Sequence, residues 1–148
     1  HPEAYFGLGI CARYQNNLTD AGAFFRRVLE KQPLNPAAKF QLAQLHFEAE
    51  EYPAVRDLLP DVIRENPDFV PAQRLYAQVL LAMEDYDNGV NGLVKILDNH
   101  AEDIETILIL GMLYMESGRI DQARAFFLRV LEIEPDNTRA KTLLTELE

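Results

Sequence analysis

Residues 104–137 read IETILILGMLYMESGRIDQARAFFLRVLEIEPDN, and two helices are written into that stretch. Its first half sets a bulky residue beside a small one, Leu110-Gly111. The leucine fills the space between paired helices and the glycine lets the next backbone come close. Its second half carries Ala123, Phe127 and Val130 at i, i+4 and i+7, one apolar face of a helix. Ser117-Gly118 between the halves supplies a glycine where a helix commonly stops, and Pro135 closes the unit.

The same order recurs along the chain without an insertion. Pro33, Pro67 and Pro135 stand 34 and 68 residues apart, one and two steps of a 34-residue repeat. The intermediate marker falls at 101, where Ala101 stands. Blocks beginning at Pro2, Pro36, Val70, Ile104 and Thr138 align the large–small pair as Leu8-Gly9, Leu42-Ala43, Tyr76-Ala77, Leu110-Gly111 and Leu144-Thr145. They align the second-half stripe as Ala21/Phe25/Val28, Val55/Leu59/Val62, Gly89/Leu93/Ile96 and Ala123/Phe127/Val130. Polar turns lie between: Asn16-Asn17, Glu50-Glu51, Glu84-Asp85 and Ser117-Gly118. No segment alternates at period two, so no strand is assigned. The expected organisation is one domain over 1–148, with repeats 2–35, 36–69, 70–103 and 104–137 and a closing helix 138–148. Gly89 and Gly92 in one helix each cost about 1 kcal/mol relative to alanine, so the third hairpin is expected to be the softest. Pro60 removes a backbone bond inside the second helix of block two and is expected to kink it on an outward face.

Lys+Arg 14 against Asp+Glu 24 gives a net charge of −10 and a pI near 4.7, which argues against nucleic acid or an anionic membrane surface as partner. No apolar run approaches the roughly 18 residues needed to span a bilayer, and the amino end lacks a signal-peptide pattern. Beginning at His1 and not at Met, the chain is expected to be a processed chain or a piece of a longer protein, and its compartment stays open.

This layout resembles the tetratricopeptide repeat family across essentially the whole chain. The fourth block carries the family pattern most fully, as Ile107, Leu110-Gly111, Tyr114, Ala123, Phe127 and Pro135. The first carries Tyr5, Leu8-Gly9, Ala21, Phe25 and Pro33. Blocks two and three depart, with Lys39 and Gln73 at the early aromatic position, His46 and Leu80 at the tyrosine position, and Gly89 at the alanine position. The resemblance implies an all-α fold, a right-handed superhelical solenoid of four 34-residue helix-turn-helix repeats with a C-terminal capping helix.

Chemistry is sparse. His1, His46 and His100 fall at unlike positions of the repeat, whereas a metal site needs ligands that converge. His46 replaces a buried tyrosine and is expected as a packed, hydrogen-bonded core residue. Cys11 has no sequence-local base to activate it and is expected as a buried, inert thiol. Asp85-Tyr-Asp87-Asn-Gly89 begins like a calcium loop, but the positions that need the turn glycine and the last acidic ligand hold Val90 and Ile96. The carboxylate pairs Glu50-Glu51, Glu84-Asp85 and Glu102-Asp103 lie in turns as solvated charge. Neither an enzyme nor a cofactor is indicated.

The resemblance further implies that the first helix of each hairpin lines a concave face. The residues it places there include Phe6, Arg13, Tyr14, Phe40, Gln44, Phe47, Arg74, Gln78, Leu108, Met112 and Met115. That set is apolar, and a contiguous apolar surface marks a binding site. The expected function is a protein-interaction scaffold that takes an amphipathic helix or an extended apolar segment, with Arg13 and Arg74 fixing an acidic group. Truncating an anchor such as Phe40 is expected to weaken binding and spare folding. Relatives that clamp chaperone tails use Lys, Asn and Arg where this chain has Phe6, Ile10, Gln41, Pro71 and Leu75, so that partner is not expected. Two rival readings are a positioning module of a larger enzyme or membrane-associated assembly, and a self-associating homo-oligomer. The register itself is testable: Leu110→Ala is expected to lower stability by about 2–5 kcal/mol in denaturant titration. A loss below about 0.5 kcal/mol, the level of a surface change, would overturn it.

Overall fold

The computed structural model describes residues 1–148 as nine helices without a strand. They are α1 (Pro2–Tyr14), α2 (Leu18–Lys31), α3 (Pro36–Glu48), α4 (Tyr52–Glu65), α5 (Val70–Ala82), α6 (Tyr86–Asn99), α7 (Ile104–Glu116), α8 (Ile120–Ile133) and α9 (Thr138–Glu146). Odd-numbered helices begin 34 residues apart, as do the even-numbered ones, so the period read from the prolines is the period of the backbone.

Each hairpin turns by the same device. The residue after the helix cap takes a left-handed backbone at Asn16, Glu50, Glu84 and Gly118, with φ of 59°, 59°, 65° and 77°. In the first hairpin the Asn17 N–H donates to Ala12 O at 2.8 Å and the Asn16 N–H to Arg13 O at 2.9 Å, which satisfies the helix's orphan carbonyls. The other three turns repeat both bonds. The starts of α3, α7 and α9 are capped by side chains, with Asn35, Asp103 and Asn137 accepting from the backbone N–H three residues on. Asp103 is therefore a cap and not loose turn charge. At Ala101, where the repeat lacks its proline, the carbonyl instead accepts from the Arg129 guanidinium at 2.5 Å.

The helices form two compact units, residues 1–89 and 90–148, whose boundary falls within α6. In the first unit, Ala12, Ala21, Phe25, Leu42 and Leu45 form one buried cluster. Ala43, Val55, Leu59, Val62, Ala72, Leu75 and Val79 form the next. In the second unit the core is Ile107, Leu108, Ala123, Phe127, Val130 and Ala140, with α9 laid on α8.

The large–small rule has a concrete partner. A Cβ on Gly9 would stand 2.6 Å from the Phe25 ring, and one on Gly111 would stand 2.4 Å from the Phe127 ring. Where the first-helix residue is Ala43, the facing residue is the shorter Leu59 in the same cluster. A glycine thus goes with phenylalanine and an alanine with leucine, which keeps the filled volume nearly constant.

Several expectations are corrected. Gly89 is not a weak alanine: a Cβ there would meet Leu81 Cγ at 2.7 Å and Ala77 O at 3.1 Å, so the glycine is required by the leucine packed on it. Leu8 is 48% exposed, whereas its equivalent Leu42 is buried against Ala21 and Phe25 of the hairpin before it. Cys11, on the same helix, is exposed and not buried. His46 is only half-buried, since its Nδ1 reaches out to Glu51 at the start of the next helix. Pro60 does lie on an exposed face, and α4 runs through it from Tyr52 to Glu65.

The pairing rule yields a double-mutant test. Gly111→Ala is expected to cost about 1–3 kcal/mol by overpacking, and adding Phe127→Leu is expected to recover about 1 kcal/mol or more of that loss. Additive single effects in urea melts would show that the two positions do not compete for one volume.

Candidate functional site

In the first unit, Ile10, Arg13 and Tyr14 share one face of α1 by their i, i+3 and i+4 spacing. Opposite them α3 presents Gln41 and Gln44. These five residues and Asn16 wall an open cleft of about 480 Å³. Tyr14 is 89% exposed at its rim, an aromatic ring offered almost whole to solvent.

Arg13 is the hub of this cleft. Its Nη1 donates to Gln41 Oε1 at 2.9 Å and to Gln44 Oε1 at 3.0 Å, and its Nη2 donates to Glu48 Oε1 at 2.5 Å. The guanidinium therefore clamps α1 to α3 and its charge is met by Glu48. That differs from the expectation that Arg13 fixes an acidic group of a partner: the acid is already within the chain. A guanidinium only donates, so both glutamine oxygens must face it, and both side-chain NH2 groups are directed elsewhere.

The aromatic residues assigned to this face are half-buried and already partnered. Phe6 packs on Phe25 with ring centroids 5.6 Å apart, Phe40 edge-on against Phe69 at 4.9 Å, and Phe47 against Tyr52 at 5.6 Å. Phe40 and Phe47 lie against the core of Leu59 and Val62. Truncating Phe40 would open that packing, so it does not separate binding from folding as expected. Arg74 and Gln78 lie half-buried on α5. In the second unit, Leu108 is fully buried in the cluster of Ile107 and Phe127, which corrects its assignment to a surface. Met112 and Met115 are half-buried against that cluster. What the sequence reading passed over is Gln41, weighed only as a missing clamp residue; its spacing of three from Gln44 was the available signal.

Lys39, a departure from the family pattern, also has a role. Its side chain is 12% exposed and its Nζ lies 3.2 Å from Asp61 Oδ2, joining α3 to α4. The Lys39 hydrogen bond, then the Lys39 charge, and lastly Arg64 hold the Asp61 carboxyl below the ordinary aspartate range, against a smaller opposing effect of burial. No helix is long and apolar enough to cross a membrane.

Taken by its backbone and cleft, the chain is an all-α helical-repeat protein. Residues 12–79 and 80–147 match the family model of the tetratricopeptide repeat, and the chain belongs to that family. It is 23% identical over 154 residues to DnaJ protein P58IPK homolog A of Oryza sativa subsp. japonica, covering 95% of this chain and 32% of that protein. It is 28% identical over 110 residues to anaphase-promoting complex subunit 3 of Schizosaccharomyces pombe, covering 74% of this chain and 16% of that one. The chain thus spans about a third of the rice relative and less of the yeast one.

Among solved structures, MamA 41-end from Desulfovibrio magneticus RS-1 matches with a TM-score of 0.81 at 13% identity, covering 99% of this chain and 82% of that one. YrrB, described as a tetratricopeptide repeat protein with an unusual peptide-binding site, matches at 0.72 and 20% identity, covering 97% and 74%. These likenesses are of fold alone.

The Asp61 pair carries a pH test. Its folded pKa lies below the unfolded value, so the pair's contribution is present above the ordinary aspartate range and is lost as pH falls through the folded value. The stability difference between wild type and Asp61→Asn is expected to be full at pH 7 and to shrink once the pH drops below about 4. Urea melts at both pH values check it, and a difference that does not change with pH would refute the charged pairing.

Proposed function

We propose that the chain is a protein-interaction module, and that its first unit takes an extended, largely apolar segment of a partner protein along α1 and α3. The observation that carries this reading is the cleft beside Tyr14: an 89% exposed ring next to the aliphatic side chain of Ile10 and two amide groups held by Arg13. Tyrosine supplies a large, stiff contact area and is enriched among residues that dominate binding energy. The NH2 groups of Gln41 and Gln44 are donors suited to the backbone carbonyls of an extended chain, while Ile10 and Tyr14 receive its side chains. An extended segment fits better than a helix, whose carbonyls are already used internally. The Arg13–Glu48 pair leaves no net charge for an acidic anchor to meet. The role is one of binding and not of catalysis.

Selecting a random peptide library on the wild-type chain and measuring the selected peptides by calorimetry tests this. Tyr14→Ala is expected to weaken them about tenfold or more, about 1.4 kcal/mol, with an unchanged melting temperature. Gln44→Ala is expected to weaken them less, and Leu128→Ala on α8 not at all. Peptides that bind Tyr14→Ala as well as wild type would place the site elsewhere.

A further inference from the structure

The cleft beside Tyr14 is electrically one-sided. Arg13, near the end of α1, reaches Gln41, Gln44 and Glu48 on α3, so the carboxy-terminal ends of both helices border the same end of the cleft. Helix carboxy ends carry partial negative charge and favour a cation within about one turn. The segment that leaves α3 adds Glu48, Glu50 and Glu51, all exposed, against the single guanidinium of Arg13. Glu48 is paired with Arg13 and Glu51 is bonded to His46, while Glu50 has no cation on it.

Tyr14 stands at that end with its ring bare. Elsewhere the chain covers tyrosine rings with its own cations: Arg27 lies over Tyr5 and Arg119 over Tyr114, each guanidinium 5.9 Å from the ring centre. Tyr14 carries neither a cation nor a second ring. An aromatic face beside an uncompensated carboxylate attracts a cation twice over, through the ring quadrupole and through charge. The spacing then fixes a register. Ile10 and Tyr14 are four residues apart on α1, about 6 Å along the helix axis. Side chains two residues apart on an extended segment share one face at about 7 Å. A residue placed on Ile10 therefore sets its next same-face neighbour on Tyr14.

Resting on the reading of the cleft as a site for an extended segment, we infer that this segment is basic: it carries an arginine or lysine two residues from an aliphatic side chain, the cation on the Tyr14 ring and the aliphatic group against Ile10. An acidic segment is the poorer occupant. Its carboxylate would face Glu50 and two helix carboxy ends, and Arg13 already holds Glu48.

The test selects short random peptides on the wild-type chain and discards those that Tyr14→Ala also retains. The remaining sequences are expected to pair an arginine or lysine with an aliphatic residue two positions away. In calorimetry, replacing that basic residue by glutamine is expected to weaken a selected peptide about fivefold or more at low salt, and less at high salt. Tyr14→Phe, which keeps the ring, is expected to preserve this discrimination. Tyr14→Leu keeps only apolar bulk, and Glu50→Asn suits the left-handed backbone at that position. Each is expected to reduce the discrimination about twofold or more, with an unchanged melting temperature. Tyr14-dependent peptides that lack a basic residue, prefer an acidic one, or discriminate equally well on Tyr14→Leu and Glu50→Asn would overturn the inference and leave the extended-segment reading standing. A library without any Tyr14-dependent peptide would overturn both.

Discussion

The structure depends on how closely two helices of one hairpin can approach. Gly9 against Phe25 and Gly111 against Phe127 are contacts in which a single added carbon would overlap a ring. Because interiors are packed like crystals, that distance is set by the pair of side chains and not by either one. The chain meets the constraint in two ways, glycine with phenylalanine or alanine with leucine, and in each the larger facing side chain goes with the smaller first-helix residue. One turn geometry, with its left-handed residue and paired backbone bonds, serves all four hairpins. Three of those left-handed positions are not glycine, so the packing and the two turn bonds together hold Asn16, Glu50 and Glu84 in a conformation they would not choose alone.

Polar contacts then act between hairpins. Arg13 gathers Gln41, Gln44 and Glu48 onto one guanidinium, and Lys39 meets Asp61. Arg13 holds neighbouring first helices at a fixed separation, and by using up the glutamine oxygens it orients their amide donors. A single residue therefore shapes the cleft beside Tyr14 without itself being available to a ligand.

Much of this was legible before any coordinates. The period, the helix starts, the turn positions and the stripe Ala123/Phe127/Val130 follow from spacing, because a repeat shows its register many times over. The candidate site was less legible. Leu108 looked like surface and is core, while Phe6, Phe40 and Phe47 looked free and are held by Phe25, Phe69 and Tyr52. Position in a repeat says which way a Cβ points but not how far a neighbouring ring reaches over it. Gly89 looked like a weak point for the same reason, since the leucine packed upon it comes from the other helix.

By itself, then, the sequence determined the family, the all-α repeat, its 34-residue step and the turns within each hairpin, since these rest on local periodicity repeated at a fixed step. Tertiary structure alone decided that Arg13 is spent within the chain, that Tyr14 stands open beside a cleft, and that Cys11 and Leu8 are exposed. Those are properties of what lies across from a residue, between 28 and 35 positions away in the case of Arg13. No window of local sequence contains both partners of such a contact, and only packing brings them together.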